Sequence, residues 1–265
     1  MRATGGLLDP FAARRHFTLT RRAPSPALAP YVDRYWIVRW DLAAPYTQET
    51  LPHPQINLVL GTHRPGLHGV CTTRFAADLT GRGWGLGTKF KSGAFRAFWP
   101  SPLRELTDRG LSVADAFGAE GAALVAAASA ATSDEERIAL VERFLLLRAG
   151  PVDDDALLAE RAVSLATADA SIARVADLAA RIGVSVRKLE RTFRSHVGVS
   201  PGWVIRRFRV QEAAERVAHG VAIDWPALAS DLGYFDQAHF IREFKSQIGC
   251  TPGDYARRVR VTAAT

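Results

Sequence analysis

The stretch "VADLAARIGVSVRKLERTFRSHVGVSP", Val175 to Pro201, is answered some fifty residues later by "WPALASDLGYFDQAHFIREFKSQIGCTP", Trp225 to Pro252. Leu178-Ala179 falls over Leu228-Ala229, Gly183 over Gly233, Arg191-Thr-Phe193 over Arg242-Glu-Phe244, and Gly198-Val-Ser-Pro201 over Gly249-Cys-Thr-Pro252. Two copies are too few for a solenoid, so two linked modules are expected. Each copy reads as a helix, a glycine turn and a second helix, because the sharp change of direction favours a residue free to adopt positive φ. In the first copy Val186, Leu189, Phe193 and Val197 form one apolar stripe at helical spacing, which leaves Arg187, Lys188, Glu190, Arg191 and Arg194 on the opposite face. In the second, Asp236 is the expected N-cap, Phe240 and Phe244 turn inward, and Gln237, His239, Arg242 and Lys245 stay outside.

Between the copies runs "PGWVIRRFRVQEAAERVAHG", Pro201 to Gly220. Proline near its start and glycine at its end predict a helix of roughly 17 residues, about 25 Å long. Such a strut suits two recognition helices set about one DNA turn, near 34 Å, apart. An α-helix fits the major groove of B-DNA, where Arg, Gln and similar side chains hydrogen-bond to base edges. Flanking Arg194, Lys245, Arg206 and Arg207 would neutralise phosphates, which adds salt-dependent affinity without sequence choice. A charged helix face is often merely solvated. Solvation, however, gives no reason to repeat Arg-x-Phe and Gly-x-[Ser/Thr]-Pro in register.

Charge distribution points the same way. The chain has 265 residues with 34 Lys+Arg against 27 Asp+Glu, and 30 of the 34 are arginine. Between Ser171 and Arg260 there are 15 basic and 9 acidic residues, so nearly all of the net +7 sits in the C-terminal third. Cys71 and Cys250 are too few and too isolated for a disulfide framework or a four-ligand zinc site. The N-terminus lacks an apolar signal region and no run of about 18 apolar residues is evident, so a cytoplasmic protein without membrane contact is expected.

Upstream the texture differs. Residues 17 to 100 carry strand-like runs, "YWIVRW", "INLVLG", "GVCTTRFAADL" and "WGLGTKF", broken by "HPQ", "HRPG" and "GRGWG". From Ser112 to Ala168 three helical segments follow, one opened by Ser133 with Glu136 as a capping box and one by Asp153 to Asp155. The expected fold class is α+β: a β-rich domain over 1–110, a helical connector over 111–168 that offers a self-association surface at Ile138, Val141, Leu145 and Leu147, and an all-α domain over 169–265.

Ser171 to Arg258, and "DLGYFDQAHFIREFKSQIGCTPGDY" above all, resembles the DNA-binding domain of the AraC/XylS family of transcription regulators. The resemblance implies a first recognition helix carrying Arg187, Lys188, Glu190 and Arg191, and a second carrying Gln237, Ala238, His239 and Arg242. Ala238 stands where many members have a polar side chain, which implies weaker base reading or contact with a thymine methyl. Residues 31 to 108 are more loosely similar to an N-terminal domain often fused to this module, comparable in plan to β-barrel or jelly-roll sensors. Ser92 in "FKSGAF" replaces a proline common there, implying a less rigid loop.

A sensing role makes Trp36, Trp84, Phe90 and Trp99 candidate pocket aromatics, and His53, Gln55 and Asn57, alternating along one strand, candidate polar contacts for a small-molecule effector. Aromatics equally fill the interior of a small barrel. Two rival functions are carried forward. One is a DNA binder without an effector whose β domain serves self-association as a homodimer. The other is a cupin-like metalloenzyme using His53, His63 and His68, although "GTHRPGLHG" lacks a close His-x-His pair followed by a carboxylate. No catalytic residue, metal or cofactor is assigned. The expected partners are double-stranded DNA, a small-molecule effector and, for an activator, RNA polymerase.

Overall fold

The computed structural model describes residues 10–218, 224–234 and 236–264. A short helix α1 (Pro10–His16) precedes six strands: β1 (Thr18–Arg22), β2 (Val32–Thr50), β3 (Asn57–Gly61), β4 (Gly66–His68), β5 (Phe75–Phe90) and β6 (Gly110–Leu111). They form one antiparallel sheet in the order β1-β2-β5-β3-β4-β6. The sheet is dominated by the long β2–β5 pair, and "GRGWG" lies within β5 rather than breaking it.

The reason is cross-strand packing. Gly87 stands opposite Trp36 and Gly83 opposite Trp40, and a Cβ at either glycine would collide with the indole facing it. The glycines are therefore beds for two tryptophans, and their lost β-propensity is offset by the aromatic area covered. "GVCTTRFAADL" is extended only from Phe75; Cys71 sits in the preceding loop, its Sγ 3.2 Å from the Thr73 carbonyl.

The connector comprises α2 (Val113–Ala130), α3 (Asp134–Leu146) and α4 (Asp154–Ala168), each opened by a side-chain cap: Ser112, Ser133 and Asp153 accept from the amides of Asp115, Glu136 and Ala156. Glu136 reaches back to the Thr132 amide at 2.9 Å, one residue earlier than a regular capping box. The 18 residues of α2 include Asp115 and Glu120, so the run is not continuously apolar, although the helix is long and apolar enough to cross a membrane by length and composition alone, a test that a core helix also passes. α2 is interrupted by Gly118 at φ 65°, and it packs against the sheet and α3 through Leu124 and Ala128.

The C-terminal part is helical: α5 (Val175–Ile182), α6 (Val186–Thr192) continued by a π turn over Phe193–Val197, α7 (Pro201–Ala218), α8 (Trp225–Asp231), α9 (Gln237–Ile248) and α10 (Pro252–Ala264). The expected end of the strut at Gly220 lies outside the described residues. Two cores divide the molecule. The larger runs without a break from Tyr35, Leu58 and Phe90 through Val141 and Ala159 into Leu189, Phe193 and Val204. The smaller gathers Val210, Leu228, Phe240, Phe244, Ile248 and Tyr255, with Leu51 entering from the N-terminal domain. The first module is thus welded to the sheet and connector, whereas the second has a separate interior that Leu51 ties to the N-terminal domain.

Candidate nucleic-acid interface

The two modules solve the same local problems with the same chemistry. Gly183 and Gly233 both take left-handed φ, 82° and 73°, and the amide after each, Val184 or Tyr234, donates to the carbonyl of Ala179 or Ala229 at 3.0 and 2.9 Å. This is a Schellman-type ending that satisfies carbonyls the helix would leave open. Ser185 and Asp236 then cap the second helices, accepting from the amides of Lys188 at 3.2 Å and His239 at 2.6 Å. At the far end Gly198 and Gly249 are again left-handed, at 98° and 90°. Ser200 and Thr251 next accept from the amides of Trp203 and Asp254, opening α7 and α10 with Pro201 and Pro252 in their first turns. The repeated Gly-x-[Ser/Thr]-Pro is therefore one helix stop joined to one helix start.

Burial sorts the recognition helices. Leu189, Phe193 and Val197 are buried, and so are their counterparts Phe240, Phe244 and Ile248; Val186, expected inside, is 38% exposed. The row Arg187, Arg191 and Arg194 is exposed, and so is the equivalent row Ala238, Arg242 and Lys245. Glu190 is exposed as well, and Gln237 is half-buried at the start of α9. Lys188 and His239 occupy one equivalent position, and both are half-buried with a protein partner. Lys188 Nζ pairs with Asp155 of α4, and the His239 ring meets Tyr234 edge-on at 5.4 Å.

Asp155 also accepts from Thr192 Oγ1 at 3.1 Å, and Asp153 lies 3.2 Å from His196 Nε2. Burial pushes the Asp155 carboxyl up, but hydrogen bonds from Lys188 and Thr192 hold it below its ordinary range. The acids that start α4 therefore also pin the first recognition helix, a second role that sequence spacing alone did not reveal.

Among the phosphate candidates, Arg194 and Lys245 are exposed, and Arg206 is exposed while lying 3.5 Å from Glu243 of α9. Arg207, expected at a phosphate, is instead fully buried, its Nε donating to the Pro52 carbonyl and its Nη1 to Gln211 at 2.9 Å, so it turns toward the N-terminal domain and offers no exposed charge for a phosphate.

The effector candidates are scattered rather than convergent. Phe90 is buried against Phe95, and Trp99 lies 6.3 Å from the same ring. Trp36 covers Gly87 and donates to Asn57 at 3.3 Å, and Trp84 carries the Arg137 guanidinium over its ring at 4.2 Å. These four aromatics and Asn57 are packing residues. Only His53 and Gln55 reach an open cleft of about 460 Å³, which lies between the sheet, α4 and α7. Ser92 does not loosen its loop; it is buried and donates to the Pro54 carbonyl at 3.0 Å. Of the three histidines weighed as metal ligands, His68 is engaged with the Arg64 carbonyl, and among the described residues no three His, Cys, Asp or Glu side chains converge.

Two family models match separate parts of the chain. Residues 178–258 match a family described as a helix-turn-helix domain, and residues 20–112 match one described as a domain of unknown function, DUF6597. The RCS-specific HTH-type transcriptional activator RclR of Escherichia coli (strain K12) is 32% identical over 34% of this chain and 31% of its own length. An HTH-type transcriptional regulator of Haemophilus influenzae (strain ATCC 51907) is 33% identical over 26% of this chain and 23% of its own. The chain thus spans a third or less of the curated relatives it matches. ToxT of Vibrio cholerae O395 aligns over 92% of this chain and 98% of its own at 13% identity, with a TM-score of 0.39. From the paired geometry and the matched segment, the C-terminal domain of this chain is a helix-turn-helix domain of the AraC type, carried behind an N-terminal β-sheet domain of the DUF6597 family.

Proposed function

We propose that the chain is a sequence-specific DNA-binding transcription regulator that reads successive major-groove faces with α6 and α9 and answers to a small-molecule effector bound by its N-terminal domain. The observation that carries this reading is the pair of matched exposed rows, Arg187-Arg191-Arg194 and Ala238-Arg242-Lys245, presented by helices with the same caps. Arg187, Arg191 and Arg242 are the base-reading arginines, suited to bidentate contact with guanine; Glu190 is suited to cytosine, Gln237 to adenine and Ala238 to a thymine methyl. Lys188 and His239 serve at the edge of the face. Arg194, Lys245 and Arg206 take phosphates. No catalytic step is needed, and RNA polymerase is a partner if the regulator activates.

The test is binding of the purified protein to its own upstream DNA and to a scrambled duplex, by anisotropy across a salt series. Tight binding of the native site near 150 mM salt, with the scramble weaker by about 10³ or more, supports the proposal. Equal, steeply salt-sensitive binding of both sinks sequence-specific reading of that DNA. Self-association is a second reading favoured by one observation: Leu147 is 79% exposed and Leu157 49% exposed, while Val141 and Leu145 are buried in the larger core. Light scattering decides between monomer and dimer.

A further inference from the structure

The cleft between the sheet, α4 and α7 carries an electrostatic imbalance that the fold does not resolve. Four cations line it, Arg21 of β1, Arg34 of β2, and Lys89 and Lys91 around the end of β5. Its two acids are engaged: Asp33 lies 3.1 Å from Arg34, and Glu160 of α4 lies 3.1 Å from Lys91. Lys89 remains. It is 93% buried, no hydrogen bond or ion pair reaches its ammonium among the described residues, and it stands directly opposite Arg34 in the β2–β5 register. Like charges at directly opposed positions destabilise a sheet, and an ammonium largely stripped of water and facing only the cleft adds to that cost. Behind the α7 wall lies Arg207, fully buried, with a buried Nη2 that has no partner.

We propose that this cleft binds a small anion, a carboxylate or a phosphate, through Lys89 with Arg34 and Arg21, and that the bound anion bears on α7 through Gln211 and the Arg207 behind it. The assignment rests on the effector reading above and gives that effector a charge and a location. An anion at this place resolves the like-charge crowding. Burial first, then Arg34, Arg207 and Arg21, depress the Lys89 ammonium to about 7, with Asp33 alone opposing them. Val163 and Phe208 supply an apolar wall for a non-polar portion of the ligand, and the volume, about 460 Å³, is that of a metabolite-sized site. The position also explains a consequence for DNA binding: α7 spans both cores and carries both modules, so an anion held between the sheet and α7 acts on the element that sets their relation.

The experiment uses the full chain in chloride buffer at constant ionic strength and pH 7. Sodium phosphate is titrated in one arm and sodium benzoate in the other, each followed by thermal melting and calorimetry. The expected result is a saturable stabilisation by at least one anion, the responding arm identifying the head group. Lys89→Met and Arg34→Gln should each weaken that affinity about tenfold or more, as loss of a charge-assisted contact does. Both variants are melted first, and Lys89→Arg, which keeps the charge, should retain the response. Equal affinity in wild type and all variants places the anion elsewhere, the DNA-facing arginines included, and overturns the proposal. No saturable response in protein that still binds its upstream DNA specifically also overturns it and leaves the regulator reading intact. A Lys89-dependent response in protein that shows no sequence preference on DNA supports the anion site and removes the regulator reading instead.

Discussion

The two cores make Phe193→Ala and Phe244→Ala chemically identical perturbations with different expected reach. Each ring is fully buried at an equivalent place in its module, so each truncation should cost about 3–5 kcal/mol in transfer and cavity terms. Phe244, however, belongs to the smaller core, whose segment from Val210 to Val259 is about 50 residues and would hold only about 2.5–7.5 kcal/mol of stability on its own. The loss consumes most of that, so Phe244→Ala should open α8 and α9 while leaving the sheet intact. Phe193 is continuous with the core that includes Tyr35, Leu58 and Phe90, so its truncation should weaken everything in that body at once. Native-state hydrogen exchange resolves the difference. In Phe244→Ala the amides of α9 should lose protection while those of β2 and β5 keep it; in Phe193→Ala the β2 and β5 amides should lose protection too. A sheet equally deprotected by Phe244→Ala would refute the division into two cores, whatever the size of the destabilisation.

Three further outcomes are expected. Arg191→Ala and Arg242→Ala should each reduce affinity for the cognate site by about 1–3 kcal/mol with little change on a scrambled duplex, and equal losses on both in anisotropy titrations would count against base reading. Gly183→Ala should cost about 1–2 kcal/mol, the left-handed penalty alone, because a Cβ there meets nothing. Gly233→Ala should cost more, because its Cβ would come 2.8 Å from the Ala173 Cβ; denaturant melts giving the reverse order would contradict the geometry. Lys89→Met should be more stable than wild type at and below pH 7, where the native lysine is buried with its charge. The native ammonium titrates at about 7 and the unfolded one at roughly 10.4, so wild-type stability should rise with pH across that window. Melting temperatures of the two proteins should therefore converge between pH 7 and pH 9, and a constant gap would show that Lys89 is not buried charged.

What the sequence disclosed follows from how local each cause is. The turns and caps of both modules were legible because Gly183, Ser185, Gly198 and their counterparts act within a few residues of themselves. The apolar stripes were legible for the same reason. Arg207 was misplaced because the carbonyl that receives it belongs to Pro52, 155 residues away, and no spacing within α7 announces that. The aromatics read as pocket candidates became packing residues once β2 and β5 paired in a register that sets Trp36 on Gly87. Lys188 kept its place on the first recognition helix, but its tether to Asp155 depends on how α4 docks. The cationic cleft was invisible for a related reason: Arg21, Arg34 and Lys89 come from three strands, and only strand pairing makes them neighbours.

The division of α7 between two interiors has a mechanical meaning. Val204 and Ile205 are set in one core, Val210, Ala213 and Val217 in the other, and the helix between them is unbroken. A rigid shaft seated in two bearings fixes the phase between what is mounted at its ends. One residue inserted between Phe208 and Val210 would rotate the second module by about 100° while advancing it only about 1.5 Å. DNA offers its own coupled rise and rotation, about 34–36 Å for each full turn, so altering the spacing of an operator cannot restore both quantities together. Selection on this chain should accordingly tolerate changes in the composition of α7 more readily than changes in its length.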